Sequence, residues 1–433
     1  MDGLLKTGSI MTTESGSEYK IKRLLGAGGQ GEVYEVESGK KTYALKWYFK
    51  KSATSAQKSI LDNLIAKGAP DTSFLWPQDL IFNYPGEPFG YIMELRPPHF
   101  KSIVDMMKRK AEPSFRSLCR AAFNLTSGYQ KLHAMGYSYR DISFGNLFLD
   151  PNNGAVLICD NDNVSAEDNA GVYGTPRFMA PEIILGKGKP SRNTDLYSLA
   201  VLLFYMFMMS HPLEGKLEAD IKCMDVHAMN QLYGSKPLFI YDPQDKSNRP
   251  VPGYQDNAII YWDLYPKLLK DLFIESFTTG LGQPSRRVTE RQWLDVFSNM
   301  TFGITYCSSC GAEVFFDEEK SKSNVAHTCW HCQKPVTMPL SIAIGRSRVL
   351  LMNDTKLYSH HTKGDYDIET VVGSVVQNPN NPKLWGIRNE SSDNWTYIKA
   401  DGAQAPIAPG KTAAINKDAK IDFGQSIGKF ISL

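Results

Sequence analysis

The stretch GYSYRDISFGNLFLDPNNGAVLICDND, residues 136–162, decides how the rest of the chain reads. Two short apolar runs, LFL and AVLIC, flank the turn-forming DPNNG, which is the pattern of a β-hairpin. Asn146 stands just ahead of the first run and Asp160 just after the second, so such a hairpin carries both to one end. An amide oxygen and a carboxylate held together are hard donors, of the kind magnesium takes when it bridges phosphates. Asp141 lies five residues before Asn146, on the approach to the hairpin. Taken alone, LICDNDNVSAED (157–168) reads more readily as an acidic turn after a strand; the rest of the chain has to choose.

With 433 residues the chain is long enough for two or three domains. A net charge of +2 provides no global field toward nucleic acid or anionic membrane, so neither is expected as a partner. The N-terminus has no long apolar core of the secretory type. The longest apolar stretch, LYSLAVLLFYMFMM (196–209), falls short of the roughly 18–20 residues that span a bilayer and reads as a wholly buried helix. Of seven cysteines, Cys119, Cys159 and Cys223 are expected to be inert core thiols. The other four form two tight pairs, which fits a metal site in a reducing, cytoplasmic setting better than a disulfide framework.

Upstream, LLGAGGQGEVYEVESGKKTYALKWY (24–48) shows the alternation of two strands joined at SGKK. Ahead of them Gly26-Ala27-Gly28-Gly29-Gln30-Gly31 matches G-x-G-x-x-G. Glycines let backbone amides close over phosphates without intervening side chains. Here a strand follows the motif rather than a helix, with Val33 two residues after its last glycine, which indicates a strand–loop–strand flap. Lys46 stands on the second strand, where an ammonium reaches nucleotide phosphates. Downstream, GVYGTPRFMAPE (171–182) supplies Ala180-Pro181-Glu182, NTDLYSLAVLLF (193–204) puts Asp195 at the start of the apolar helix, and SRRVTERQW (285–293) offers Arg287.

Across residues 15–300, these motifs in this order resemble the eukaryotic-like Ser/Thr protein kinases. The resemblance implies an α+β, two-lobed protein kinase fold, with an N-lobe over about 15–95 and a C-lobe over about 96–300. It implies that Asp141 positions the substrate hydroxyl, that Lys46 pairs with phosphates and that Asn146 and Asp160 hold Mg2+. It also implies an ATP pocket formed by Gly26, Ala27, Gly28, Gly29, Gly31, Val33, Ala44, Lys46, Met93, Glu94, Leu95 and Phe148, with Met93 as gatekeeper and Glu94 and Leu95 in the hinge. Glu182 would pair with Arg287, and Asp195 would brace the catalytic loop. Ser165 and Thr175 are candidate autophosphorylation sites. The stretches SFLWPQDL (73–80), HPLEGK (211–216), IYDPQDKSNRP (240–250) and FTTGLGQPSRRV (277–288) resemble bacterial kinases of tellurite-resistance-associated phosphorylation triads. That likeness implies a protein substrate, a partner phosphatase and a von Willebrand-type protein.

The chain departs from the family pattern in three places. Asn161 and Asp162 replace the Phe and Gly of D-F-G, so Asn161 must find hydrogen bonds or turn outward, and Asp162 either joins the metal site or, as we expect, faces solvent. Tyr139 replaces the His of H-R-D. The stretch KKSATSAQKSILDNLIAKGAP (50–70) holds no Glu to neutralise Lys46. Helical spacing puts Gln57 at the matching position, with Lys58 and Asp62 as alternatives. A Gln–Lys hydrogen bond is weaker than a charge-assisted one. Two functions therefore stand: an active kinase of lowered or conditional rate, and a nucleotide-binding pseudokinase acting as a scaffold.

Cys307-Ser-Ser-Cys310 and Cys329-Trp-His-Cys332 are separated by eighteen residues. Four thiolates in two such knuckles make a closed tetrahedral site for structural Zn2+, so a zinc ribbon is expected over 301–337. His327 and His331 are spare donors. Asp317, Glu318 and Glu319 between the knuckles argue against binding a nucleic-acid backbone. From 338 to 433, short apolar segments divided by NPNNP, NESSDN, DGAQ and PGK indicate a C-terminal β-sandwich. Its second half resembles a forkhead-associated domain, which makes Arg346 and Ser359 candidates for reading phosphothreonine; a docking or self-contact sandwich is the competing reading.

Overall fold

A computed structural model describes residues 3–82, 87–166, 174–353 and 355–431. By its internal contacts the chain forms two compact units, one of residues 1–113, 124–259 and 273–290, the other of residues 114–123, 260–272 and 291–433. The boundaries expected at 300 and 337 do not coincide with this division.

In the first unit, a six-stranded antiparallel sheet has the order β1-β2-β3-β4-β6-β5, from β1 (Ile10–Thr12), β2 (Glu18–Ala27), β3 (Gly31–Ser38), β4 (Lys41–Tyr48), β5 (Asp79–Ile81) and β6 (Gly90–Glu94). The β3–β4 turn falls within SGKK as expected. Period-two alternation puts Tyr34, Val36 and Leu45 into one core with Tyr19 and Ile92, while Ala44, Tyr48, Tyr91 and Met93 join a second core. Helix Ser55–Lys67 packs Leu61 into that second core and starts at Thr54, whose side chain accepts from the Gln57 N–H at 3.1 Å.

A smaller sheet, β7 (Lys101–Ser102), β8 (Leu147–Leu149) and β9 (Val156–Ile158), contains the expected hairpin. Helix Arg192–Met208 is buried from Thr194 to Met208, which explains why its sequence is apolar all round. A Ser191–Thr194 capping box begins it. Its Asp195 is buried and accepts from the backbone N–H of Tyr139 at 2.5 Å and of Arg140 at 2.9 Å. His133 lies between Asp195, 3.1 Å away, and Glu290, which also takes a hydrogen bond from Arg192 at 2.6 Å. Glu182 and Arg287 form a bidentate pair at 2.8 Å.

In the second unit, β10 (Ile304–Tyr306) and β11 (Glu313–Phe315) form a hairpin. Phe315 lies 5.2 Å from Phe115 and 5.5 Å from Tyr265, ring centre to ring centre. Arg116 donates to the carbonyls of Thr301 and Ile304 at 2.8 and 3.1 Å. These contacts draw residues 114–123 and 260–272 into the same unit as the cysteine segment. Beyond them, antiparallel sheets of six strands, β13-β12-β21-β20-β17-β18, and four strands, β14-β15-β16-β19, enclose one core that includes Ile342, Val375, Ile387, Trp395 and Phe430. These strands are β12 (Ser341–Ile344), β13 (Ser347–Leu350), β14 (Lys356–Tyr358), β15 (Val371–Asn378), β16 (Asn381–Asn389), β17 (Trp395–Ile398), β18 (Gln404–Ile407), β19 (Thr412–Ala414), β20 (Lys420–Asp422) and β21 (Ile427–Ile431). No helix among the described residues is long and apolar enough to cross a membrane. Cys119 is buried and Cys159 half-buried, but Cys223 is exposed, against the expectation of a core thiol: it lies in the polar stretch DIKCMD.

Burial alone would lower the His133 pKa, but hydrogen bonds to Asp195 and Glu290 outweigh it and carry the imidazole up to about 9 from an ordinary 6.5. Burial would raise Glu290, but His133 and Arg192 bring it down to about 2 from 4.5. A raised histidine stabilises the fold fully below 6.5, and that contribution is lost as pH rises through about 9. A depressed carboxylate contributes above 4.5 and fades as pH falls toward about 2. The thermal midpoint should therefore fall between pH 6.5 and 9, and a His133→Gln variant should flatten that slope, measured by pH-resolved thermal unfolding. An unchanged slope in the variant would remove His133 as its source.

Candidate active site

The β8–β9 hairpin and the loop before it assemble the first group of residues. Arg140 has a left-handed backbone, φ 75°, a conformation costly for a non-glycine residue, and the two Asp195 hydrogen bonds hold it there. Asp141 follows immediately. Its Oδ1 accepts from the Thr175 hydroxyl at 2.8 Å, and its backbone carbonyl accepts from Asn146 Nδ2 at 3.0 Å. With that amide nitrogen engaged, Asn146 keeps its side-chain oxygen as a ligand atom. The Cys159 N–H donates to the Asn146 carbonyl at 2.9 Å, tying the hairpin's ends together. Tyr139 is buried and its hydroxyl donates to the Cys159 carbonyl, so the residue replacing the family's His anchors the segment just before Asp160.

Asp160 is itself left-handed, φ 57°, and opens a single helical turn, Asn161–Asn163. That turn departs from expectation. Asp162 is fully buried rather than facing solvent, and its Oδ2 lies 2.8 Å from Lys46 Nζ. The Tyr48 hydroxyl donates to the same oxygen. The left-handed step at Asp160 reverses the chain, so the side chain two residues on turns inward toward β4. Asn161 is buried too, and its Nδ2 donates to the carbonyls of Leu75 and Ile158 at 2.8 and 2.9 Å.

Lys46 is 6% exposed and touches both Asp160 and Asp162. Burial would lower its pKa, but the two carboxylates outweigh that and push it up to about 12. Asp160 is raised to about 6 by burial and by the Asp162 charge, against the pull of Lys46. Gln57 does not bond Lys46; its Nε2 donates to the Asp162 carbonyl at 2.8 Å and to the Tyr48 hydroxyl at 3.3 Å. Lys58 instead pairs with Asp62 and Glu14 on the exposed side of the helix. From the glycine loop, Gln30 accepts from Lys46 Nζ at 3.3 Å and donates to Asn163 at 3.2 Å.

Around this cluster, Val33, Ala44, Met93 and Leu95 converge on one apolar patch with Leu157, and Ala44 pairs across the strands with Met93. Glu94 pairs with Lys41 at 2.8 Å. Phe148 carries the Arg96 guanidinium 4.1 Å over its ring. A side chain at Gly26, Gly28 or Gly29 would meet no protein atom within 4 Å, so the loop leaves open space there. One at Gly31 would stand 2.2 Å from the Trp47 carbonyl, so that glycine serves the β3–β4 approach. Ala27 pairs with Glu32 at the root of the loop. Ser165 is buried, with its hydroxyl on the Ala166 carbonyl, and is not accessible as a phosphate acceptor; Thr175 sits on Asp141.

A protein kinase domain model matches residues 19–296. The chain belongs to the protein kinase family. A probable serine/threonine-protein kinase of Zea mays, CCRP1, is 29% identical over 227 residues, half of this chain and 35% of that protein. Protein kinase C delta type of Rattus norvegicus is 29% identical over 216 residues, 47% of this chain and 31% of that protein. Serine/threonine-protein kinase PksC of Streptomyces coelicolor is 24% identical over 220 residues, 44% of this chain and 37% of that protein. The chain thus spans about a third of the length of these relatives.

The kinase family implies ATP and magnesium. The donors fit a divalent cation: Asp141, Asp160 and the Asn146 amide oxygen are hard ligands, and two carboxylates, those of Asp160 and Asp162, face the ammonium of Lys46. Tyr48, Gln30 and the inward Asp162 did not emerge from the sequence reading. Tyr48 was findable, because two residues along a strand from Lys46 it shares that face.

In the second unit, the sulfurs of Cys307, Cys310, Cys329 and Cys332 all lie within 4.8 Å of one another, with Cys307–Cys332 and Cys310–Cys329 at 3.6 Å. His327 is turned away, accepting from the Asp317 N–H at 2.9 Å. Arg346 faces Asp295 at 3.4 Å, and the Ser359 hydroxyl donates to Asp365 at 2.6 Å, so carboxylates of the chain itself engage both candidate phosphothreonine readers.

Nucleotide-dependent thermal stabilisation checks the site. ATP with magnesium should raise the midpoint of the parent protein. Asp160→Asn should lose most of the magnesium-dependent part, and Lys46→Met should weaken ATP binding by at least about tenfold. Parent-like shifts in both variants would place the nucleotide elsewhere.

Proposed function

We propose that the chain is an ATP-dependent Ser/Thr protein kinase of bacterial signalling type, autophosphorylating and acting on a partner protein. The observation that carries this is Asp141 with a hydroxyl already on its Oδ1, the Thr175 oxygen at 2.8 Å, beside Asn146. That carboxylate is placed to orient a Ser or Thr hydroxyl and receive its proton. When bound, ATP with magnesium supplies the transferable phosphoryl group and offsets its charge. Asn146 and Asp160 would hold the cation and Lys46 the phosphates. The glycine loop between β2 and β3 would exclude water over them, with Ala44, Val33, Met93 and Leu95 forming the apolar seat of the base and Glu94 and Leu95 its hinge bonds. Gln30 must leave Lys46 when phosphates arrive. Thr175 is the favoured autophosphorylation acceptor. A phosphatase and a von Willebrand-type protein remain the proposed partners, in the cytoplasm.

The absence of a helix carboxylate near Lys46 favours a second reading, a nucleotide-binding pseudokinase scaffold. The discriminating experiment is incubation with ATP and mass spectrometry. Phosphate on Ser or Thr of the parent protein, and none on Asp141→Ala, is the expected result. Equal absence from both leaves the scaffold.

The four cysteines support a structural zinc site. A tetrahedron with Zn–S bonds of about 2.3 Å has edges of about 3.8 Å, close to the sulfur spacings here. The hairpin's own core is thin, Cys307, Val314, Cys329 and Val336, so metal binding would supply much of its folding energy. We read the C-terminal sandwich as a forkhead-associated-like module used for docking or self-contact, since Arg346 and Ser359 are already engaged. Metal analysis should give about one zinc per chain. Cys307→Ser with Cys310→Ser should lose it and become protease-sensitive near residue 320, while ATP still binds. Full zinc retention would exclude these ligands.

A further inference from the structure

We infer that Asp162 does for Lys46 what a helix glutamate does in kinases that have one: it neutralises the ammonium and fixes its position, from inside the metal-binding turn. This rests on the reading of the site as a nucleotide site and adds a positioning residue to it. The argument begins with burial. Lys46 is 6% exposed, and an ammonium removed from water must be paired. Helix Ser55–Lys67 provides no carboxylate for it: Asp62 is taken by Lys58 on the far side, and Gln57 bonds elsewhere. Two carboxylates do reach it, those of Asp160 and Asp162.

These two cannot share one duty once a divalent cation is present. Asp160 is the partly exposed member, at the mouth of the turn, and it is the one adjacent to Asn146 through the Cys159–Asn146 backbone bond. Asp160 would hold a cation there and so leave the ammonium. Asp162 is fully buried, and Tyr48 holds its Oδ2 in place. It cannot follow without opening the core, so it stays with Lys46. Its Oδ1 has no hydrogen-bond partner among the described residues and is free to take a second Lys46 N–H. Helix Ser55–Lys67 remains coupled to the lysine, but indirectly: Gln57 grips the Asp162 carbonyl, and Asp162 grips Lys46. The missing glutamate and the changed D-F-G glycine are then one relocated charge.

The test compares Asp162→Asn, Gln57→Glu and the double variant in the full-length protein, reading KM for ATP, kcat and the ATP–magnesium thermal shift. Asp162→Asn should cut kcat/KM by about a hundredfold. Gln57→Glu alone should not raise it, because the charge is already present and a carboxylate cannot donate to the Asp162 carbonyl as the Gln57 amide does. In the double variant the new helix carboxylate, one hydrogen bond from the lysine's partners, should restore at least tenfold of the loss. A role in packing alone would not be rescued by a charge on the helix. If Asp162→Asn fails to fold, the Gln57→Glu variant decides: a rise of tenfold or more would mean that Lys46 lacks its carboxylate, and the inference falls. Parent-like kinetics for Asp162→Asn would also overturn it. A parent protein that neither binds ATP nor transfers phosphate defeats the nucleotide-site reading instead, a result distinct from both.

Discussion

A lysine ammonium inside a β-sheet is the constraint around which the first unit is arranged. Leaving such a charge unpaired costs about 3–5 kcal/mol, a large share of a domain's stability. The molecule meets this with a chain reversal at Asp160, a tyrosine two residues along the strand that bonds the Asp162 carboxylate and a helix glutamine that bonds the Asp162 backbone carbonyl, all converging on one buried residue. The same reversal sets Asp160 beside Asn146. Pairing the lysine and shaping the Asn161–Asn163 turn are therefore a single structural act.

Much of this was legible in the sequence. The β8–β9 hairpin, the glycine loop between β2 and β3 and the buried 192–208 helix follow from periodicity and turn chemistry, and the Glu182–Arg287 and Asp195 braces from what the resemblance to kinases implies. These are local patterns, or long-range pairs between strongly typed residues. Helical spacing offered Gln57 as the partner of Lys46, but it bonds Asp162 and Tyr48 instead, because a hydrogen-bond partner depends on where two distant segments meet. Asp162 was misjudged for a related reason. An acid in a run of Asp and Asn looks solvated, and only the left-handed backbone of the residue two before it turns it inward. Cys223 failed in the opposite direction, with apolar neighbours too few to bury it.

The loop ahead of Asn146 shows how a buried position can be anchored by a substituted residue. A histidine at position 139 would work through its ring nitrogens. Tyr139 instead extends a hydroxyl to the Cys159 carbonyl, bracing the residue before Asp160. Asp195 holds the same end of the loop by the backbone of Tyr139 and Arg140.

The Phe115, Tyr265, Phe315 and Trp330 cluster bears on how such a chain can be divided or recombined. The aromatic faces that receive the cysteine hairpin belong to segments far upstream of it in the chain, and Arg116 ties off the carbonyls where the last helix meets the hairpin. A chain ending at residue 300 would leave those rings bare to water and that guanidinium without its acceptors. The hairpin is thus less an appendage than a lid grown from its own vessel. Transplanting it onto another catalytic domain would require carrying the receiving residues across as well.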